Sequence, residues 1–343
     1  MSAAEQISVP TAPSPDGPRP HGPKQAVNPA ASSWAEEYPF GSNWINQGTE
    51  QDPLWQHYLD EGDKNAPVLL MLHGNPTWSF MYRNLVKELS GRFRCIVPDH
   101  MGCGLSDRPQ DWDYTLQNHA SNVEALLDEL NIKNYTLMCH DWGGMIGTAA
   151  TVNRPDALDG MVVLNTGAFL GKLPKRIKTV RIPVFGRTAV LGFNAFVKAA
   201  LIGCTHHKEK LTAAIKDGYL APYSNAHDRI ATLRFVEDVP QKAGHSTWDL
   251  VDEVDKKLHT LKEKPMLICW GERDWCFTPE FRKGWEERFP DAEVHAMDDA
   301  AHFVFEDAHE RITEWMNAFF DKNGLGSQDQ NAQGKNEENE ANA

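Results

Sequence analysis

Apolar residues in this chain gather into short, unbroken runs. Pro67–Leu72 (PVLLML), Cys95–Val97 (CIV), Tyr135–Cys139 (YTLMC), Met161–Leu164 (MVVL) and Met266–Trp270 (MLICW) each end in a polar or glycine-bearing turn. Continuous runs of this length predict strands buried on both faces of a parallel sheet. Between them the spacing predicts helices, as over Asn118–Leu130, where Val123, Leu126, Leu127 and Leu130 recur at helical intervals. Alternating strands and helices predict an α/β protein with a mostly parallel, doubly wound sheet. One interval breaks the rhythm. MVVL and MLICW are separated by 101 residues, where a crossover needs only about a dozen.

The first part of that interval, 168–245, predicts several helices: Ala189–Leu201, Leu211–Tyr219 and Asn225–Val236. Inserted there, they would form a helical cap over the carboxyl ends of the strands, where such sheets bind ligands. Phe193, Phe196, Val197, Leu201 and Ile202 are expected to line an apolar, water-excluding pocket beneath it. The domain reading is therefore a core from 34–167 and 246–322, interrupted by the cap at 168–245. Residues 1–33 hold seven of the 21 prolines, and 323–343 hold one Leu and no aromatic. Neither buries enough apolar surface to offset its ordering entropy, so both are expected to be disordered tails.

Charge narrows the function. Over 343 residues, 34 Lys+Arg against 48 Asp+Glu leave a net charge of −14, which argues against nucleic acid or an anionic lipid as partner. The six cysteines stand singly, without a CxxC pair, and are expected to be reduced and buried, as in a cytoplasmic protein. The longest nearly apolar stretch, Leu191 to Cys204, is broken by Asn194 and Lys198. It falls short of the ~20 residues of a membrane span. The N-terminus lacks the basic and apolar regions of a secretory signal.

Chemistry concentrates after the strands. Cys139-His140-Asp141-Trp142-Gly143-Gly144 follows YTLMC and precedes a Gly/Ala-rich segment. It has the small-x-nucleophile-x-small form of a nucleophile elbow, with Asp141 where a Ser commonly stands. A carboxylate is ionised at neutral pH. It suits attack on an sp³ carbon, which yields an alkyl-enzyme ester. His73-Gly74-Asn75-Pro76 follows PVLLML, where this fold class places part of an oxyanion hole. Asn75 and Trp142 both carry side-chain donors able to bind a leaving anion beside Asp141. Asp274 ends the strand MLICW, and His302 follows the alternating stretch Ala292–Met297. Nucleophile, acid and base thus stand in the chain order of α/β-hydrolases. His302 would activate water and Asp274 would orient its imidazole. Cys204, His206 and His207 lack a second pair at zinc spacing, and Pro98–Gly104 reads as a structural turn. No metal or organic cofactor is called for.

Five segments, HGNPTWSF (73–80), PDHMGCGLSD (98–107), HDWGG (140–144), GERDWCF (271–277) and AHFVFED (301–307), together resemble the haloalkane dehalogenases over about 40–320. The resemblance implies an α/β-hydrolase fold with an inserted helical cap, Asp141 as nucleophile, His302 as base, Asp274 as acid and Asn75 with Trp142 as the halide-stabilising pair. Dehalogenases place the acid after either of two strands. The earlier place here reads Leu164-Asn165-Thr166, without a carboxylate, which favours Asp274. HGNPTWSFMYRNL and APYSNAHDRIATLRFVEDVP look most like the third dehalogenase subfamily, which is similar to β-lactone decarboxylases of olefin biosynthesis.

A small apolar organic molecule, haloalkane or β-lactone, is the expected substrate, with olefin-pathway enzymes or a second copy of the chain as expected protein partners. Two further readings rank lower. Epoxide hydrolases share HGxP and HDWGG and would use Tyr219 and Tyr223 to protonate the opening ring. A non-catalytic ligand receptor on the same fold would have no need of a complete triad.

Overall fold

The computed structural model describes residues 28–171, 185–240 and 242–327. Its centre is one sheet of eight strands: β1 Asn43–Asn46, β2 Trp55–Glu61, β3 Val68–Leu72, β4 Arg94–Pro98, β5 Tyr135–Asp141, β6 Leu158–Thr166, β7 Met266–Gly271 and β8 Glu293–Met297. The spatial order is β1-β2-β4-β3-β5-β6-β7-β8. Strands β3 to β8 pair in parallel, while β1 and β2 join antiparallel at one edge. The five apolar runs all lie within strands. The antiparallel pair escaped the sequence reading because its residues, NWIN and WQHYLDE, mix polar and aromatic side chains without an apolar run.

Why the runs are continuous is visible in the packing. Leu70 and Leu72 of β3 enter one buried cluster, and Leu69 and Met71 enter the other. The same alternation divides Ile268 and Trp270 from Leu267 and Cys269 in β7. Both pleat faces are covered, so each strand needs apolar residues at every position. Helices α2 (Leu116–Glu129), α3 (Trp142–Thr151), Ser246–Lys257 and Pro279–Arg288 lie over one face. Helices α1 (Arg83–Leu89) and Val304–Lys322 lie over the other. Edge strand β8 alternates partly buried and exposed positions before Met297.

From β3 the chain passes to β4 on one side and then back across to β5 on the other, making β3 and β5 neighbours. That reversal is a topological switch point, where the strand ends leave a crevice. The segment between β6 and Ser246–Lys257 covers it. A π-helical turn at Thr188–Gly192 is followed by helices Ala195–Gly203, Ala213–Leu220 and Ile230–Asp238. The predicted single helix Ala189–Leu201 is corrected: it breaks at Asn194, which adopts a left-handed φ of 53°. Thr212 caps the second helix by accepting from Ile215 N–H.

The predicted N-terminal tail lies mostly outside the described residues, although Pro29–Ala31 forms a short 3-10 turn. Past Lys322, Leu325 is buried, and its carbonyl accepts from Arg92 at 2.6 Å. The lone Leu of the predicted polar tail is thus an anchor, and 328–343 lie outside the described residues.

Candidate active site

Asp141 sits at the end of β5 with φ 52° and ψ −126°, immediately before α3. This turn brings the chain so close to β3 that a Cβ on Gly143 would lie 2.0 Å from the Leu72 carbonyl oxygen. Only glycine fits there, which gives the HDWGG spacing a steric cause. The Thr166 hydroxyl at the end of β6 donates to the Asp141 carbonyl and ties the elbow to the next strand.

The loop after β3 faces Asp141 across the switch point. Asn75 N–H donates to Asp141 Oδ1 at 2.7 Å. The Asn75 amide donates to the Thr232 carbonyl at 3.2 Å, which links this loop to helix Ile230–Asp238. Two buried histidines brace the loop from behind. His100 N–H donates to His73 Nε2 at 3.0 Å, and His100 Nε2 bonds the His73 carbonyl at 2.8 Å. Burial pushes both imidazoles below their ordinary pKa and keeps them neutral. Asp99 accepts from Ser79 and Leu105 N–H and pairs with His57, so PDHMGCG is the structural turn that the sequence predicted.

His302 follows β8, with Nε2 3.5 Å from Asp141 Oδ2 and Nδ1 2.7 Å from Asp274 Oδ2. Asp141, Asp274 and His302 are all buried. Burial alone would depress the imidazole, but the two carboxylates outweigh it and raise His302 to about 10. Burial would likewise raise Asp141. The hydrogen bond and charge of His302, with His140 and Asn75 N–H, hold it below the ordinary carboxylate range instead. The resting arrangement is therefore a carboxylate–imidazolium–carboxylate row.

Residues outside the sequence reading complete it. Asn165, at the end of β6, donates from Nδ2 to Asp274 Oδ2 at 2.9 Å and to the Gly271 carbonyl at 3.0 Å. Its Oδ1 accepts from Gly271 N–H at 2.8 Å. The place that lacks an acid in the sequence holds the amide that fixes the acid from the next strand. An Asn at the end of a buried strand was the available signal. His140 Nε2 bonds the His302 carbonyl at 2.8 Å, and Phe277 stacks on the His302 ring at 5.9 Å.

Asn75, Asp141, Trp142 and His302 line a single cavity of about 230 Å³ whose remaining wall is largely apolar. Met145, Phe169, Leu170, Phe196, Val236 and Phe281 supply much of it. Of the five cap residues expected in the pocket, Phe196 is there. Phe193 and Ile202 are 70% and 65% exposed, while Val197 and Leu201 are buried but do not line it. The break at Asn194 and the 3.6-residue helical period send these side chains to different faces.

Tyr219 and Tyr223 also miss the cavity. Tyr219 donates to Glu306 at 2.6 Å, and the Tyr223 hydroxyl bonds the Thr77 carbonyl at 3.4 Å. They are structural, which removes the ring-protonating pair of an epoxide hydrolase. His206 and His207 use their backbone N–H groups to bind Asp307. Among the described residues no three His, Cys, Asp or Glu gather as a metal site.

Residues 67–309 match the family model described as alpha/beta hydrolase fold. Among curated proteins, the chain is 43% identical to the cis-3-alkyl-4-alkyloxetan-2-one decarboxylase of Shewanella oneidensis over 271 residues, 77% of this chain and 84% of that one. It is 34% identical to haloalkane dehalogenase 2 of Mycobacterium tuberculosis over 284 residues, 80% of this chain and 93% of that one. The crystal structure of haloalkane dehalogenase DatA from Agrobacterium tumefaciens shares the fold at 24% identity and a TM-score of 0.72, over 82% of this chain and 97% of that one.

Proposed function

The chain is an enzyme of the α/β-hydrolase family, and within it we propose that Asp141 displaces an anionic leaving group from an sp³ carbon through a covalent ester. One observation carries this reading. The Asp141 carboxylate lines an apolar cavity, with Oδ1 held by Asn75 N–H and Oδ2 turned to His302. Oδ2 attacks carbon, the carbon–leaving-group bond breaks, and the anion departs toward Asn75 and Trp142. Forming the ester removes the Asp141 charge, so one of the two carboxylates that hold His302 protonated is lost. The imidazole then releases its proton to solvent and becomes a base. It takes a proton from water as the water oxygen adds to Asp141 Cγ. Oδ1 becomes the oxyanion, stabilised by Asn75 N–H, and the alcohol leaves as the carboxylate and imidazolium re-form. Asp274, fixed by Asn165, orients the ring and offsets its charge.

Two leaving groups share the first step. A haloalkane fits the donor pair Asn75 and Trp142 in the cavity wall. A β-lactone fits the relative at 43% identity. In that case attack opens the ring and leaves a β-carboxylate on the ester. Loss of CO₂ then forms the alkene and expels Asp141 unchanged. The apolar wall places the substrate among small apolar molecules. The six cysteines are free thiols, five buried and one half-buried, which supports a reducing, cytoplasmic setting. Enzymes that supply such a lactone would be its pathway partners.

A paired assay on purified protein tests the reading. One arm offers 1-bromobutane and follows halide; the other offers a cis-dialkyl β-lactone and follows alkene. Halide without alkene assigns a dehalogenase, and fast alkene with trace halide assigns a decarboxylase. In both arms Asp141→Ala is expected to abolish turnover with the fold retained. Turnover by that variant overturns the mechanism.

A further inference from the structure

Phe193 and Ile202 are the most exposed large apolar residues among those described, at 70% and 65%. Both belong to the segment over the strand ends. Ile202 shares the outer face of helix Ala195–Gly203 with Lys198 and Ala199, also exposed. Ala199 lines the cavity as well. The cavity therefore reaches the surface on the face that carries the two apolar side chains.

Charge there opposes that of the whole chain. Between Asp159 and Glu209 the sequence has eight Lys or Arg and no Asp or Glu, in a protein of net charge −14. Arg187 and Lys198 are exposed beside Phe193 and Ile202. Apolar side chains that project among cations have the chemistry of an interfacial face, which inserts the former among acyl chains and sets the latter at anionic headgroups. A solvated surface would have no use for exposed Phe and Ile, and an acidic protein partner would answer the charge alone.

We infer that this face docks on an anionic lipid bilayer, so that the cavity mouth takes an apolar substrate directly from the membrane. The whole-chain charge argued against anionic lipid; it averages over an acidic body and hides one basic apolar face. The inference rests on the proposed function only in taking the substrate to be apolar, and the binding itself is measured without turnover.

Full-length protein is sedimented with phosphatidylcholine vesicles and with vesicles containing phosphatidylglycerol. Binding is expected only to the latter, and to weaken in high salt as the Debye length falls from about 10 Å toward about 3 Å. Phe193→Ser and Ile202→Ser are each expected to weaken partition on the order of tenfold through lost apolar burial. Lys198→Glu is expected to weaken it on the order of tenfold through charge reversal, with the apolar residues intact. None of these residues touches Asp141 or His302, so turnover of a short, water-dissolved substrate should be unchanged. Turnover of substrate carried in anionic vesicles should fall with binding. Circular dichroism melts confirm that each variant is folded.

Equal binding to both vesicle types overturns the inference, as does its absence. Undiminished binding by the folded Phe193→Ser/Ile202→Ser double variant does the same. Self-association that these substitutions abolish, with vesicles left unbound, would assign the face to a second copy of the chain instead. Loss of turnover with vesicle binding retained would count against the proposed function and leave the docking face standing.

Discussion

Replacing Asn165 by Ala removes three buried hydrogen bonds: one to the Asp274 carboxylate at 2.9 Å and two to the Gly271 backbone at 2.8 and 3.0 Å. A hydrogen bond to a charged group is typically worth about 1.5–3 kcal/mol and a neutral one about 0.5–1.5 kcal/mol. The stability loss should therefore fall at about 2.5–6 kcal/mol. Catalysis should suffer separately. Asp274 would retain only Cys276 N–H and the His302 ring as its observed partners. If the charge-assisted bond is expressed wholly in orienting His302, ester breakdown slows by about 10- to 100-fold.

Asn165 does not line the cavity, so KM is expected to stay near its original value while kcat falls. Single-turnover kinetics with a haloalkane separate the steps: alkylation of Asp141 at normal rate, followed by slow hydrolysis that leaves an alkyl adduct in intact-mass spectra. Thermal melts report the stability change independently. A variant that keeps its melting temperature and its hydrolysis rate would refute the claim that Asn165 holds the acid in place.

His302→Gln should alkylate but not hydrolyse, and mass spectrometry should find the ester accumulating; a clean spectrum after reaction with a haloalkane would count against His302 as base. Tyr219→Phe removes the 2.6 Å bond to Glu306 and should cost about 1.5–3 kcal/mol of stability. Its kcat should hold, because Arg83 still pairs both Glu306 oxygens, whereas a collapse in turnover would restore Tyr219 as a proton donor. The row at the site also predicts a pH signature. His302, raised from 6.5 to about 10, contributes stability that is complete below about pH 6.5 and lost as the pH climbs toward 10. Asp141, held below 3.8, keeps its contribution above that value and loses it as the pH falls through its depressed pKa. Melting curves of wild type and His302→Gln should accordingly converge in alkali, and a gap that stays constant from neutrality to about pH 10 would contradict the assignment.

Much of the site was legible because its geometry is local. A nucleophile elbow needs small residues at fixed offsets, since the turn presses against the neighbouring strand: Gly143 meets the Leu72 carbonyl at 2.0 Å from an added Cβ. The strands were legible because burial on both faces leaves no polar alternation to confuse with a helix. Chain order then placed Asp274 and His302 at strand ends, where the fold gathers its loops.

The sequence alone determined the architecture and the chemical type of each central group, because those follow from short-range patterns of burial and turn sterics. Only the tertiary structure decided which groups meet. Asn165 and Asp274 are 109 positions apart, and Tyr219 and Glu306 are 87 apart. Nothing in local spacing distinguishes a tyrosine aimed at a cavity from one satisfied by a distant carboxylate. The direction of the cap residues was undecided for the same reason. A left-handed turn at Asn194 sends Phe193 outward and Phe196 inward. Helical periodicity fixes which residues share a face, and packing against the rest of the molecule decides which way that face points.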